Sequence, residues 1–197
     1  MAVAAYFLGE LVNRPPGERI LWNAADALWG VVAAVPPLAL LIVLMRLPLA
    51  AIDSVREFCR DFLIPLFRAA SWWHIVLICA LAGLGEEMLF RGFVQLGLTD
   101  AIGGTQGIVV GLAVASITFG LAHAATRAYT IAATVIGLYL GAVLVITGNL
   151  LVPIVAHAAY DLGAFAYLFW MNAEHNAAAN EDRTTTDDAA RSRDEEL

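Results

Sequence analysis

Five apolar stretches, each close to the length that crosses a lipid bilayer, dominate this 197-residue chain. A hydrocarbon core about 30 Å thick needs roughly 20 helical residues at 1.5 Å each. The stretches run from Ala27 to Met45, Trp72 to Leu98, Gln106 to Thr126, Ala128 to Thr147 and Leu150 to Met171. In lipid, backbone polar groups must be satisfied inside the structure, which restricts such segments to helices. The expected fold class is therefore all-α, a polytopic transmembrane helical bundle with about five spans. Composition agrees: 60% of residues are hydrophobic and 15% charged, where a soluble domain is about half apolar and a quarter charged.

Pro36-Pro37 falls in the middle of the first span and should kink it, whereas Pro153 falls in the first turn of the fifth, where proline is harmless. Between the first two spans, Ile52 to Phe67 mixes Arg56 and Arg60 with Phe58, Phe62, Leu63 and Leu66, which reads as an amphipathic helix lying at the interface. Arginine counts place the connection holding Arg46, Arg56, Arg60 and Arg68, together with Arg127 and the tail with Arg183, Arg191 and Arg193, on the cytoplasmic side. Arg14 and Arg19 near the outer N-terminus argue the other way. Trp72, Trp73 and Trp170 fit aromatic anchors at the cytoplasmic headgroups. Gly137 and Gly141 form a small-xxx-small face on the fourth span, open to close helix approach or to no special role.

The net charge of -7 reflects mainly the acidic segment from Ala173 onward, which is expected to be a disordered cytoplasmic tail following a transmembrane domain of residues 1–172. No secretory leader is apparent at the N-terminus, so the chain is read as mature. Cys59 and Cys79 have no metal or redox spacing.

Ionisable side chains within such spans are costly and point to function. They recur in three clusters: Glu86-Glu87-Met88-Leu89-Phe90-Arg91, Phe119 to His123, and His157 to Asp161. Glu87 and Arg91 are four apart and share a helix face, so they can pair, while Glu86 points about 100° away and is free to face a cavity as a general base. A structural ion-pair knot is the plainer alternative. His123 with Phe119, and His157 with Asp161, are each spaced to aim at one face. Counting from the interhelical turns, Glu86 and His123 lie roughly 25 and 30 Å along their axes, and His157 and Asp161 roughly 14 and 20 Å along theirs. A tilt or projection of the long second span brings all four to a common level. His74 and His175 are read as bystanders, and Tyr129 and Arg127 as interfacial anchors or the border of a substrate entrance.

The order EExxxR, FxxxH and HxxxN/D on successive helices resembles the CPBP family, the CAAX-protease and bacteriocin-processing (Abi) intramembrane proteases. The resemblance covers roughly Trp72 to Met171, and its flanks agree too, in Phe119-Gly120-Leu121-Ala122-His123 and in Thr147-Gly148-Asn149-Leu150 leading to Pro153, Ile154 and His157. It implies an intramembrane endopeptidase in which Glu86 and His123 activate water and His157 and Asp161 support the oxyanion, with Glu87, Arg91 and Phe119 in support. Where similar prenyl-protein endopeptidases have asparagine, this chain has Asp161, which cannot donate while ionised. Asp161 must be protonated, orient His157, or meet a positive group. No cofactor is expected. Two histidines and one or two carboxylates could instead make a zinc site with an open water position, although no HExxH pair occurs and the resemblance favours a glutamate-dependent mechanism. The expected partners are the bilayer and a membrane-associated or lipidated peptide, with no nucleic acid, and the expected location is the plasma membrane. A non-catalytic scaffold or immunity module and a proton-coupled transporter are the rival readings.

Overall fold

The computed structural model describes residues 1–11 and 15–195, with side chains through Glu174 and at Ala177. Arg14, and the side chains of His175, Arg183, Arg191 and Arg193, lie outside the described residues. The described residues form helices and no strand. A short helix α1 (Ala2–Leu11) and a 3-10 turn (Pro16–Arg19) precede α2 (Ala24–Ala33) and α3 (Val35–Arg46). Then come α4 (Ala50–Phe58), a wider π turn (Cys59–Leu63) and α5 (Ile64–Phe67). The long second span is α6 (Trp72–Glu87), a π-helical stretch (Met88–Gln95) and α7 (Leu96–Ile102), followed by α8 (Gly104–Ala122), α9 (Arg127–Thr147) and α10 (Leu151–Glu195).

Five helical segments are long and apolar enough to cross a membrane: Ala24–Arg46, Trp72–Ile102, Gly104–Ala122, Arg127–Thr147 and Leu151–Glu174. Each contains or closely matches a stretch read from the sequence. Large apolar side chains such as Phe7, Leu81, Ile117 and Ile146 remain exposed on the outside of the bundle, as lipid-facing surfaces require.

The first span breaks at Ala34, just before Pro36 and Pro37. Proline lacks the N–H that would bond the carbonyl four residues earlier. The carbonyl of Ala33, four residues before Pro37, instead accepts a hydrogen bond from the Tyr139 hydroxyl at 2.8 Å. A neighbouring span thus satisfies the group the kink releases.

Turns fix the hairpins. Gly103 and Gly104 adopt φ of +77° and +58°, joining α7 to α8. Thr126 caps α9 by accepting from the Tyr129 amide at 3.1 Å. Between α6 and α10 the approach is tight at Gly83, where a Cβ would stand 2.8 Å from the Ile154 carbonyl oxygen and 2.9 Å from the Ala158 nitrogen. Without a hydrophobic force between helices in lipid, such small-residue contacts are what let spans pack. This one brings Glu86 and Glu87 beside His157.

Two findings depart from expectation. The segment Met88–Gln95 is π-helical where a regular helix was expected. Also, α10 continues as helix to Glu195, where the acidic composition suggests disorder from Ala173. Alanines recur through this stretch, and a helix already nucleated in the membrane extends without a new nucleation cost.

Candidate active site

Glu86 and Glu87 end α6 at the point where the helix widens into its π stretch, a distortion that recurs at functional sites. The two carboxylates diverge. Glu87 turns into the protein and is fully buried, as is Arg91. Arg91 Nη1 donates to Glu87 Oε1 at 2.9 Å and its Nη2 donates to the Gly137 carbonyl at 3.0 Å. The guanidinium also lies 4.5 Å from the centroid of Phe119, a cation–π contact. A buried charge left unpaired would be very costly, and these contacts pair the guanidinium with an anion, although Arg91 Nε and Glu87 Oε2 have no hydrogen-bond partner among the described residues.

His157, on α10, places Nδ1 2.7 Å from Glu87 Oε1. The paired Glu87 carboxylate accepts, so Nδ1 carries a proton and Nε2 is turned into the cavity. That Nε2 lies 3.4 Å from Asp161 Oδ2 and 4.0 Å from Glu86 Oε2. On α8, His123 Nδ1 is 2.8 Å from the carbonyl of Phe119. A carbonyl can only accept, so this bond fixes the proton on Nδ1 and leaves the lone pair of the neutral ring on Nε2. His123 Nε2 faces Glu86 Oε2 at 3.4 Å, and that buried oxygen has no hydrogen bond from the described residues.

Phe119 is the hub between the two imidazoles. Its ring lies 4.5 Å from that of His123 and 5.7 Å, edge to face, from that of His157, with Phe90 packed behind at 5.2 Å. The site opens into a cavity of about 210 Å³ that Glu86, His123, His157 and Asp161 share with an apolar wall including Met45, Val55, Cys59 and Leu168. The second, third and fifth spans supply the acids and imidazoles that line it. The structure walls it as well with the first span, the amphipathic helix and α9, through Leu41, Ile52 and Ala133.

All seven residues singled out from the sequence therefore meet at one place. Tyr129 lines the cavity, whereas Arg127 is exposed. His74 stands apart, bonded to Ser71 Oγ at 2.6 Å. Cys59 sits in the wall, and burial pushes its thiol up to about 11. Sequence reasoning passed over Gln95, which is 1% exposed and donates to the Gly141 carbonyl at 3.0 Å. The signal was available: Glu87, Arg91 and Gln95 recur every four residues along an apolar span. The carbonyls that receive Arg91 and Gln95 belong to Gly137 and Gly141, which gives that glycine face a role. A Cβ on Gly137 would stand 3.2 Å from Ser116 Cα, and one on Gly141 would stand 2.6 Å from Gln95 Oε1.

Among the described residues, no group of three or more histidine, cysteine, aspartate or glutamate side chains is arranged to hold a metal ion. Both Nδ1 atoms are engaged within the protein, and the ring nitrogens left over face carboxylates.

Residues 58–163, more than half of the chain, match the family described as type II CAAX prenyl endopeptidase, Rce1-like. The chain belongs to this family. The matched stretch contains Glu86, His123, His157 and Asp161. No curated protein and no solved structure matches the chain. As a member of the Rce1-like family it is a CAAX-type intramembrane endopeptidase, a hydrolase of the peptide bond, and an integral membrane protein.

Proposed function

We propose that this protein cleaves a peptide bond of a membrane-associated substrate by direct glutamate-assisted attack of water, without a metal. The observation that carries the reading is the convergence of Glu86 Oε2 with His123 Nε2 at 3.4 Å and His157 Nε2 at 4.0 Å, lining one cavity. A water placed there donates one hydrogen to Glu86 and the other to His123. Glu86 takes a proton as the water oxygen attacks the scissile carbonyl, and later delivers it to the leaving amine. Protonated at Nε2, His157 donates to the developing oxyanion. Its Nδ1 bond to Glu87, which Arg91 neutralises, holds the ring in position. Asp161 orients His157 from the Nε2 side in the resting state and does not itself donate to the oxyanion.

The apolar residues that line the rest of the cavity suit a lipid chain, and a prenylated C-terminal CAAX peptide is the substrate class the family name suggests. Residues 1–172 form the catalytic unit and 173–197 a cytoplasmic tail, with the enzyme in the plasma membrane and the cavity mouth toward the cytoplasm. Glu86→Gln keeps the size of the side chain and removes the base. We expect turnover of a prenylated CAAX peptide in nanodiscs to fall at least about a hundredfold with the melting temperature unchanged. A variant that cleaves normally would sink the mechanism, and a scaffold function would survive the substitution intact. Treatment with 1,10-phenanthroline should leave wild-type turnover unchanged, and stoichiometric zinc lost on His123→Ala would overturn the metal-free reading.

A further inference from the structure

The depth of α10 in the bundle decides where His157 stands, and the α9–α10 turn is held by a segment that lies outside the family match. Helix N-termini leave their first N–H groups without intrahelical partners, and near lipid each must be satisfied by protein. At the start of α10 the satisfaction is complete. The Leu150 amide donates to the Arg19 carbonyl at 3.0 Å, the Leu151 amide to Asn149 Oδ1 at 3.0 Å, and the Val152 amide to the Asn149 carbonyl at 3.2 Å. Residue 153 is proline and has no N–H to satisfy.

Asn149 is 2% exposed and uses every bonding position of its amide. Besides the Leu151 amide, Oδ1 accepts from the Leu21 amide at 2.9 Å. Nδ2 donates to the Leu21 carbonyl at 2.8 Å and to Asp26 Oδ2 at 2.7 Å. The side chain thus pairs with Leu21 as a second peptide group would. Asp26 is fixed in turn by Asn23, whose Nδ2 donates to the same carboxylate oxygen at 2.7 Å and whose Oδ1 caps α2 through the Asp26 amide at 2.8 Å. Below this clasp α2 runs hard against α10: a Cβ on Gly30 would stand 2.8 Å from the Val152 carbonyl oxygen. Arg19 also reaches Asp100 at the far end of the second span, at 3.3 Å.

We propose that Asn149, clasped by Leu21 and Asp26, is a positioning residue that sets the depth and rotation of α10, and so places His157 on Glu87. His157 lies six residues after the first helical position, about 9 Å along the axis. A slip of one residue moves it about 1.5 Å and turns it about 100°, which takes Nδ1 off Glu87 and Nε2 away from Glu86. Sites of this kind tolerate about 0.5 Å. Residues 19–26, though beyond the stretch 58–163 that matches the family, complete its active site. For its catalytic consequence this inference rests on the proteolytic reading, while the placement of His157 can be measured independently.

The test uses the full chain in nanodiscs with 15N-labelled histidine, the His157 Nδ1–H resonance being assigned by its loss in His157→Gln. Asn149→Ala removes the clasp. Asn149→Asp keeps the acceptor toward the Leu21 and Leu151 amides but sets a carboxylate against Asp26. In the exchanged pair Asp26→Asn/Asn149→Asp, the donor comes from position 26 and the acceptor from position 149, at the same net charge, and only the bond to the Leu21 carbonyl stays lost. Both single variants are expected to move the His157 resonance while that of His74 stays in place, and the exchanged pair to bring it back toward the wild-type position. Should Asn149→Ala fail to fold, Asn149→Asp and the exchanged pair carry the comparison. In turnover, the single variants should lose about tenfold or more in kcat at nearly constant KM, regained in the exchanged pair. An unmoved His157 resonance in Asn149→Asp, or one that moves and is not restored by the exchange, overturns the proposal. Wild-type turnover unaffected by Glu86→Gln would count against the proteolytic reading alone, since the resonance reports placement whatever the chemistry.

Discussion

At the scale of single residues, buried charge governs what can be changed. Arg91→Ala leaves the buried Glu87 with the His157 Nδ1–H as its remaining partner, and breaking a buried pair costs about 3–5 kcal/mol. Thermal unfolding in detergent should show it as a large fall in melting temperature. Arg91→Lys should recover only part, because one ammonium cannot span both Glu87 and the Gly137 carbonyl as the guanidinium fork does. Cys59 lines the cavity, yet burial pushes its thiol up to about 11, so it stays neutral below that pH. Iodoacetamide at pH 8 should therefore leave turnover unchanged, as a peptide assay before and after treatment will report. Much of the candidate site was legible at this scale because its pairs are local. Glu87 with Arg91 and His157 with Asp161 are each four residues apart, and helical periodicity alone puts their members on one face. The bond from His157 to Glu87, 70 residues apart in sequence, has no such local signature, and neither does the clasp at Asn149.

Among the elements, the crossing of α6 and α10 at Gly83 carries the most consequence. Gly83→Ala would press a methyl group on the backbone of α10 at Ile154 and Ala158, parting the helices that bear Glu87 and His157. A displacement of about 1 Å at a site of this kind costs on the order of a hundredfold. We expect kcat to drop by about that factor while the protein still folds, as circular dichroism will verify. At the proline break, Tyr139→Phe strands the Ala33 carbonyl, and interhelical bonds in membranes contribute about 0.6 kcal/mol on average. Unfolding measurements should register a loss of that order. The break at Pro36-Pro37 could be read from sequence, since proline acts through its own geometry. The π stretch at Met88–Gln95 could not, because the bonds Arg91 and Gln95 make from it to α9 are to residues 46 positions away.

For the whole molecule, length and hydropathy were enough to count five spans, because a bilayer imposes one length on every helix that crosses it. Their lateral arrangement was not readable, since in lipid it depends on small residues and polar contacts from distant parts of the chain. The acidic tail follows Leu168, the last of the described residues that line the cavity, so deletion of 173–197 should leave turnover within about twofold of the full chain, a difference smaller than 1 kcal/mol. The cavity joins acids and imidazoles to an otherwise apolar wall, a combination that also suits a surfactant monomer. Extraction therefore supplies the enzyme with a competitor at high concentration. Rates measured in micelles will track the chain length of the solubilising amphiphile, and ranking candidate peptides will be sound only after return to a lipid disc.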